Sequence, residues 1–339
     1  MTSSKILAFD IGGANLKAAD GLGYAVSRFF SLWQKPHDLA EALASLAADA
    51  PDTELVAVTM TGELADCFQT KAEGVSHILT AVEQIADGRR VLVYRTDGRF
   101  VSTDEARDEP LAVAAANWHA LACFAGRFAS IGAGLLIDIG STTCDLIPLV
   151  DGQPAALGKT DPERLASGEL VYTGVVRSPV CAVVAVLPWR GSQVPVAQEL
   201  FATARDAYLI AGDLPEEPDD CQTADGRPAT RAQARDRLAR QICADRTMFS
   251  DDDARAAAAA VARTQLSKIA IAAQMVLQRL PARPGTVVIS GQGEFLARRL
   301  LDKLRTEAKV VSLAEALGPV TSQAATAHAL TELVRAYVG

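Results

Sequence analysis

The stretch Leu135-Leu136-Ile137-Asp138-Ile139-Gly140-Ser141-Thr142-Thr143-Cys144-Asp145-Leu146 constrains the fold of this chain more than any other. An apolar run ends in an aspartate, a glycine and small hydroxyl residues, then returns to apolar alternation. That pattern reads as a buried strand, a tight turn and a second strand. The segment Phe9-Asp10-Ile11-Gly12-Gly13-Ala14-Asn15-Leu16-Lys17 aligns with Ile137 to Asp145 without a gap, so that Asp10 falls on Asp138, Ile11 on Ile139 and Gly12 on Gly140. One such hairpin is ordinary turn chemistry. Two copies, each opening an α/β half, predict related domains whose turns face a shared cleft. Glycine in such a turn lets backbone N–H groups approach a phosphate, and the strand-end aspartate is placed to hold a divalent cation.

A length of 339 residues fits about two domains, and 49% hydrophobic with 22% charged residues supplies two cores. The formal charge of −8, from 33 basic and 41 acidic side chains, argues against sequence-independent nucleic-acid binding but not against an anionic ligand held locally. Six cysteines occur, Cys67, Cys123, Cys144, Cys181, Cys221 and Cys243, none in a C-x-x-C pair and most in apolar runs. Buried, reduced thiols are expected. Met1-Thr2-Ser3-Ser4-Lys5 leads into a strand with no signal-peptide pattern, and no apolar stretch is long enough to span a membrane. These features predict a cytoplasmic protein acting on small molecules, with no nucleic-acid or membrane partner.

Strands are expected at Lys5–Ile11, Leu16–Ala19, Tyr24–Phe30, Leu55–Met60 and Val91–Tyr94, with helices at Asp38–Ala48 and Val75–Ala86. After Met60, Glu63 and Asp66 stand three apart, which would put both carboxylates on one side of a helical turn. They read either as acids favoured near a helix N-terminus or as a cation ligand or base at a strand's carboxyl end. An alanine-rich helix over about Leu111–Phe128 precedes a boundary at Ile131-Gly132-Ala133-Gly134. In the second half, Lys159 follows a third strand and reads as a surface lysine or as a contact to an anion. A short helix is expected at Glu163–Leu170 and a strand at Cys181–Leu187. Tyr172 and Arg177 lie in a polar, turn-rich run between them, where Arg177 could grip a phosphate or carboxylate. Further helices are expected at Val196–Ile210, Arg231–Asp245 and Asp251 to about Leu280. Between the first two of these, the acidic, proline-punctuated run Gly212–Pro228, containing Asp225 and Arg227, reads as a solvated excursion or a substrate lid. Strand Thr286–Ile289 enters Ser290-Gly291-Gln292-Gly293-Glu294 and a helix at Phe295–Arg305, and a glycine-rich turn of that kind can accept a phosphate or a ribose. A terminal helix is expected over about Thr321–Tyr337.

Two Asp-Gly hairpins followed by a late Ser-Gly-x-Gly turn resemble the actin, sugar-kinase and Hsp70 ATPase superfamily over the whole chain. The resemblance implies an α/β fold of two related actin-like, ribonuclease-H-like domains with a central cleft. The first would span residues 1–130. The second would span 131–339, with a helical insertion at about 195–280 and a C-terminal helix that packs back on the first domain. More narrowly, Phe9–Asn15, Thr61-Gly62-Glu63-Leu64-Ala65-Asp66, Gly168-Glu169-Leu170-Val171-Tyr172-Thr173-Gly174 and Thr223-Ala224-Asp225-Gly226 together resemble the hydantoinase/oxoprolinase-related family linked to tetrahydromethanopterin one-carbon transfer.

The resemblance implies a methanofuran-type synthase. Such an enzyme joins an aminomethyl-furanylmethyl diphosphate to the phenol of a γ-glutamyl-tyramine-like acceptor and releases diphosphate; a bacterial relative would use a tyrosine-derived phenol to make methylofuran. The implied roles are Mg²⁺ on Asp10 and Asp138, and phosphate contacts from Gly12, Gly13, Asn15, Lys17, Gly140, Ser141, Thr142, Thr143, Gly291 and Gly293. Lys159 would neutralise the leaving group, Glu63 or Asp66 would act as base, and Tyr172, Arg177, Asp225 and Arg227 would contact substrate. Gly291-Gln292-Gly293 replaces the adjacent glycine pair of the kinases, and Ala14-Asn15 stands where many relatives have hydroxyls. Both departures count against ATP. An ATP-dependent small-molecule kinase and a non-catalytic assembly protein of the pathway remain the alternatives, separable by acceptor-stimulated ATP turnover and by binding without turnover.

Overall fold

The computed structural model describes residues 5–338; Met1-Thr2-Ser3-Ser4, where the absence of a leader was read, and Gly339 lie outside the described residues. The first sheet is built from β1 (Ile6–Ile11), β2 (Asn15–Ala19), β3 (Ala25–Phe29), β4 (Leu55–Met60), β5 (Arg90–Tyr94) and β6 (Phe100–Val101), in the order β3-β2-β1-β4-β5-β6. Strands β1 and β4 are buried along their whole length. This is the pattern of parallel strands covered on both faces. Helices α1 (Leu39–Ala48) and α2 (Lys71–Ala86) cover one face, with Leu43, Leu46, Val75, Ile78, Leu79 and Val82 in its core. Thr70 caps α2 by accepting from the Glu73 N–H. Helices α3 (Thr103–Asp108) and α4 (Pro110–Val113) follow, then α5 (Asn117–Ala125).

The second sheet repeats the plan. It contains β7 (Ala133–Ile139), β8 (Cys144–Val150), β9 (Gln153–Pro154) and, after α6 (Asp161–Ser167), β10 (Leu170–Val171). An insertion then runs through α7 (Val180–Val183), the hairpin β11 (Val186–Trp189) and β12 (Ser192–Pro195), α8 (Ala204–Ala211), α9 (Arg231–Arg240) and the long α10 (Asp251–Leu277). Strand β13 (Thr286–Ser290), α11 (Glu294–Leu304) and β14 (Lys309–Ser312) complete the sheet, in the order β10-β8-β7-β13-β14 with β9 on β8. Helices α12 (Leu313–Thr321) and α13 (Ala325–Val338) end the chain. In both sheets a hairpin is followed by a parallel neighbour on the first strand's other side: β2-β1-β4 and β8-β7-β13.

Helices α5 and α13 lie between the sheets. On one side Ala116, Ala120, Leu330 and Val334 pack with Ile6, Ala8 and Ala57 of the first sheet. On the other, Trp118, Leu121, Ala125 and Ala329 pack with Leu136, Ile147 and Val288 of the second. The small residues of α5 permit this double contact.

The structure departs from the sequence reading where long-range contacts govern. The helix expected over Leu111–Phe128 breaks at Ala114, which is extended, and at Ala115, which has φ +49°. The chain restarts at Asn117, whose Oδ1 accepts from the Trp118 N–H. The strand expected at Cys181–Leu187 begins as the helical turn α7, and the helix expected at Val196–Ile210 shortens to α8, capped by Thr203. The final helix starts at Ala325 rather than Thr321, because Gly318 (φ +80°) and Pro319 kink the preceding segment. All six cysteines are free, but only Cys144 is buried; Cys221 and Cys243 are exposed. No helix among the described residues is long and apolar enough to cross a membrane.

Candidate functional site

Sheet register builds the site. Asp10 is paired with Lys17 on β2 and Thr59 on β4; Asp138 is paired with Asp145 on β8 and Ser290 on β13. Paired residues project to the same side of a sheet, so each sheet carries a row of three polar side chains near its carboxyl edge. Each row lies on the face that packs α5 and α13: Ile6 and Ala8 share Asp10's side, and Leu136 shares that of Asp138. The two rows face one another. Lys17 Nζ donates to Asp10 Oδ2 at 3.2 Å. Burial works to lower the Lys17 pKa, but the charges of Asp10, Asp138 and Asp145 outweigh it and raise the value. Burial, then the Asp145 charge, pushes Asp138 up to about 6, against the pull of Lys17 and a Ser290 hydrogen bond.

A chain of ion pairs continues from this centre across the gap. Arg164, only 2% exposed, bonds Asp145, lies 3.5 Å from Asp161 and stacks on Trp118 with its guanidinium 4.4 Å from the ring centroid. Asp161 Oδ2 is 3.3 Å from Lys71 Nζ of the first lobe, and Lys71 is 3.5 Å from Glu63 Oε1. Burial raises the Glu63 pKa, and the Lys71 charge opposes it. Five buried polar atoms along this path have no hydrogen-bond partner: Asp10 Oδ1, Thr59 Oγ1, Glu63 Oε2, Trp118 Nε1 and Arg164 Nε. Buried polar groups ordinarily find partners. These five lie along one path at the boundary of the lobes, which makes that boundary the candidate site. A hollow of about 620 Å³ beside α5, lined by Tyr94, His119, Cys123 and Gln153 among others, contains none of these atoms. The facing polar rows, not that hollow, define the candidate site.

The predicted loop residues divide by what their N–H groups do. Gly12 N–H donates to Asn15 C=O at 3.0 Å and Gly140 N–H to Thr143 C=O at 2.9 Å, so both are spent inside their turns. Gly293 N–H donates to Ile139 C=O at 2.8 Å. At Gly291 (φ +88°) an added Cβ would lie 2.8 Å from Asp138 Oδ1. Gly12, Gly291 and Gly293 therefore permit close packing, and the N–H groups of Gly12, Gly140 and Gly293 are engaged within the protein rather than open to a phosphate. Gly13 differs: nothing lies within 4 Å of the Cβ it lacks. Ser141 and Thr142 stay partly accessible, their hydroxyls 3.3 Å apart, as do Asn15 and Thr143.

Other expectations change as well. Glu63 and Asp66 do not share a helical turn: each sits in its own non-helical turn, with Glu63 1% exposed and Asp66 at the surface. The helix begins only at Lys71. Lys159 is exposed, its N–H held by Glu163 at 2.9 Å, and its charge acts on His119. Lys17 is the lysine among the aspartates. Asp225 belongs to the insertion, where Arg237 and Arg240 each hold it at 3.0 Å, and Arg227 folds back beside it. Arg205 bonds Glu217 and Asp220, and Glu217 bridges to Ala229. Gly212–Pro228 is thus clamped to α8 and α9 rather than free to act as a lid. Tyr172 is exposed, and Arg177 reaches across to Trp33. Sequence reading missed Lys71, Asp161, Arg164, Trp118 and Trp33. Lys71 carried a signal, since a cation in the first turn of a helix opposes the dipole and needs another reason to be there.

A family model for hydantoinase/oxoprolinase matches residues 54–331. The chain belongs to the hydantoinase/oxoprolinase family. A relative from Methanocaldococcus jannaschii is 35% identical over 333 residues, covering 97% of both chains. A second, from Methanococcus vannielii, is 30% identical over 203 residues, 59% of this chain and 90% of its own length. Both are named as the synthase of a furan-2-yl methanamine carrying a γ-L-glutamylaminoethyl-phenoxymethyl group. Among solved structures, nucleotide-free acetone carboxylase superposes with a TM-score of 0.51 at 14% identity, over 94% of this chain. The chain spans about half (51%) of that protein's length. The duplicated hairpin sheets and this likeness give the fold: an α/β architecture of two related, actin-like halves.

Proposed function

We propose that this protein is a transferase of methanofuran or methylofuran biosynthesis. It would join the phenol of a γ-glutamyl-tyramine- or tyrosine-type acceptor to the methylene carbon of an aminomethyl-furanylmethyl diphosphate and release diphosphate. The observation that carries the reading is the pair of facing rows, Lys17–Asp10–Thr59 and Asp145–Asp138–Ser290, with unpartnered polar atoms beside them. The relatives' shared name supplies the ether product.

Asp10 and Asp138 suit Mg²⁺. Asp10 Oδ1 is buried without a partner, and no group of three or more His, Cys, Asp or Glu among the described residues is arranged to hold a metal alone. Mg²⁺ keeps several waters and typically takes one or two carboxylates plus substrate phosphates. Bound there, it would supply Lewis-acid stabilisation of diphosphate charge. Lys17 and the open turn at Gly13 would neutralise and seat the leaving group. Glu63 is the better base of the two candidates, because its Oε2 is buried and unpartnered while Asp66 faces solvent. The raised proton affinity of Glu63 suits a phenol, which ordinarily holds its proton up to a pH of about 10. In the reaction, the phenolic proton passes to Glu63 and the phenolate oxygen bonds the methylene carbon. The C–O bond to diphosphate breaks with its electron pair leaving on diphosphate, and the electron-rich furan eases development of positive charge at that carbon.

The test is incubation of the full chain with the furan diphosphate, candidate phenols and Mg²⁺, with products identified by mass and ATP turnover measured in parallel. An ether product with equimolar diphosphate is expected. Acceptor-stimulated ATP hydrolysis without that product would favour the kinase alternative.

A further inference from the structure

The two hairpin turns are joined over the gap by a contact in which neither turn takes part directly. On the first lobe, Leu32 N–H donates to Gly13 C=O at 3.0 Å, which seats Trp33 on the first turn. On the second, Val175 N–H bonds Gly140 C=O, while Val176 and Arg177 N–H both bond Ser141 C=O, at 3.1, 3.1 and 2.9 Å. The strap 173–178 is thereby laid along the second turn. It is tied internally, because Ser178 Oγ accepts from Gly174 N–H at 2.8 Å. It is also tied from behind: Gln265, fully buried in α10, donates to Thr173 Oγ1 and Gly174 C=O at 2.8 Å each and accepts from the Tyr208 hydroxyl at 2.6 Å. From this fixed strap Arg177 reaches over the gap and places its guanidinium carbon over the Trp33 ring, 4.8 Å from the centroid. It makes no ion pair with the described residues. Arg177 is exposed, and a guanidinium held over a ring by its face keeps its in-plane N–H donors free for an anion.

We propose that Trp33 and Arg177 form a clasp specific for a diphosphate-sized anion, Trp33 being the positioning residue that holds Arg177's donors over the space between the two turns. The inference rests on the reading of that space as a diphosphate site. A planar fork discriminates by geometry: it matches two oxygens of an anion seated between both turns. A single phosphate held at one turn would be reached less well, so the clasp favours diphosphate over monophosphate.

The test uses inorganic diphosphate and inorganic phosphate with MgCl₂ and the full chain, by calorimetry and tryptophan emission. Wild type is expected to bind diphosphate more tightly than phosphate, with an emission change. Trp33→Leu should weaken diphosphate binding about tenfold and Trp33→Phe, which keeps an aromatic face, only about threefold. The emission change should vanish in Trp33→Phe although Trp118 and Trp189 remain. Arg177→Lys, which keeps charge without the fork, should lose the preference for diphosphate over phosphate. Thermal melts of all three variants within a few degrees of wild type exclude general misfolding. Should wild type bind diphosphate while the variants match it in affinity and selectivity, the clasp is wrong and the site reading stands. Should wild type bind no diphosphate, both fall.

Discussion

Replacing Arg164 by methionine isolates the electrostatics that hold the gap together. The side chain is 2% exposed, bonds Asp145 and stacks on Trp118. Removing one partner of a buried ion pair costs about 3–5 kcal/mol, because the other charge is left unpaired. Loss of a desolvated cation–π stack adds about 1–2 kcal/mol, part of which methionine's packing returns. Arg164→Met should therefore lower unfolding free energy by about 4 kcal/mol at pH 8. Most of that penalty belongs to Asp145, so Arg164→Met/Asp145→Asn should lose only about 2 kcal/mol. The pH dependence has a fixed sign. Burial already raises the Asp145 pKa, and Arg164 is the leading influence opposing it. Without the arginine the folded carboxyl rises further and binds more protons than the unfolded one, so the single mutant's deficit shrinks as pH falls. Urea unfolding at pH 8 and pH 6, with the m-value as a check on the denatured state, measures all four corners of the cycle. A single-mutant loss below about 1 kcal/mol, or one that Asp145→Asn leaves unchanged, would refute the reasoning.

Other outcomes follow from the same geometry. At Gly174 an added Cβ would lie 2.5 Å from Ser141 C and 2.6 Å from Gly140 O, so Gly174→Ala should destabilise by about 1–3 kcal/mol in a thermal melt. Gly13→Ala meets nothing within 4 Å and should melt like wild type while weakening diphosphate binding in calorimetry; unchanged binding would remove Gly13 from the site. His119 is held neutral, its pKa lowered by burial from 6.5 to about 4. Stability should therefore be lost as pH falls from about 6.5 towards 4, by at most about 3 kcal/mol, and His119→Gln should flatten that slope in urea melts. Asp10→Asn and Lys17→Ala should each lower kcat for diphosphate release by at least about a hundredfold in steady-state assays, whereas Asp66→Asn should not.

The fold was legible where local pattern and burial agree. The two hairpins share residue order around Asp10 and Asp138, and each places its aspartate at the end of a strand whose neighbours are apolar. Lys17 and Asp145 occupy equivalent positions in the repeat, yet their opposite charges become meaningful only when the lobes face each other. The remainder depends on contacts that spacing does not encode. Arg164 stands three residues after Asp161 and reads as a solvated helix pair until Trp118 and Asp145 enclose it. Asp225 lies in a turn-rich acidic run that reads as a solvated excursion or a lid until Arg237 and Arg240 pin it. The break at Ala115, after which α5 runs between the two sheets, goes against the helix propensity of the surrounding alanines. Glu63 and Asp66 misled because three-residue spacing has meaning only on a helix, and the helix starts later.

The central claim is that the bond broken lies between the furan's methylene carbon and the ester oxygen that joins it to the diphosphate. Furanylmethyl diphosphate labelled with heavy oxygen at that ester position tests it directly. Mass spectrometry of both products should find the label entirely in the released diphosphate and none in the ether. Label retained on the furan product, or diphosphate released without any ether, would contradict the account.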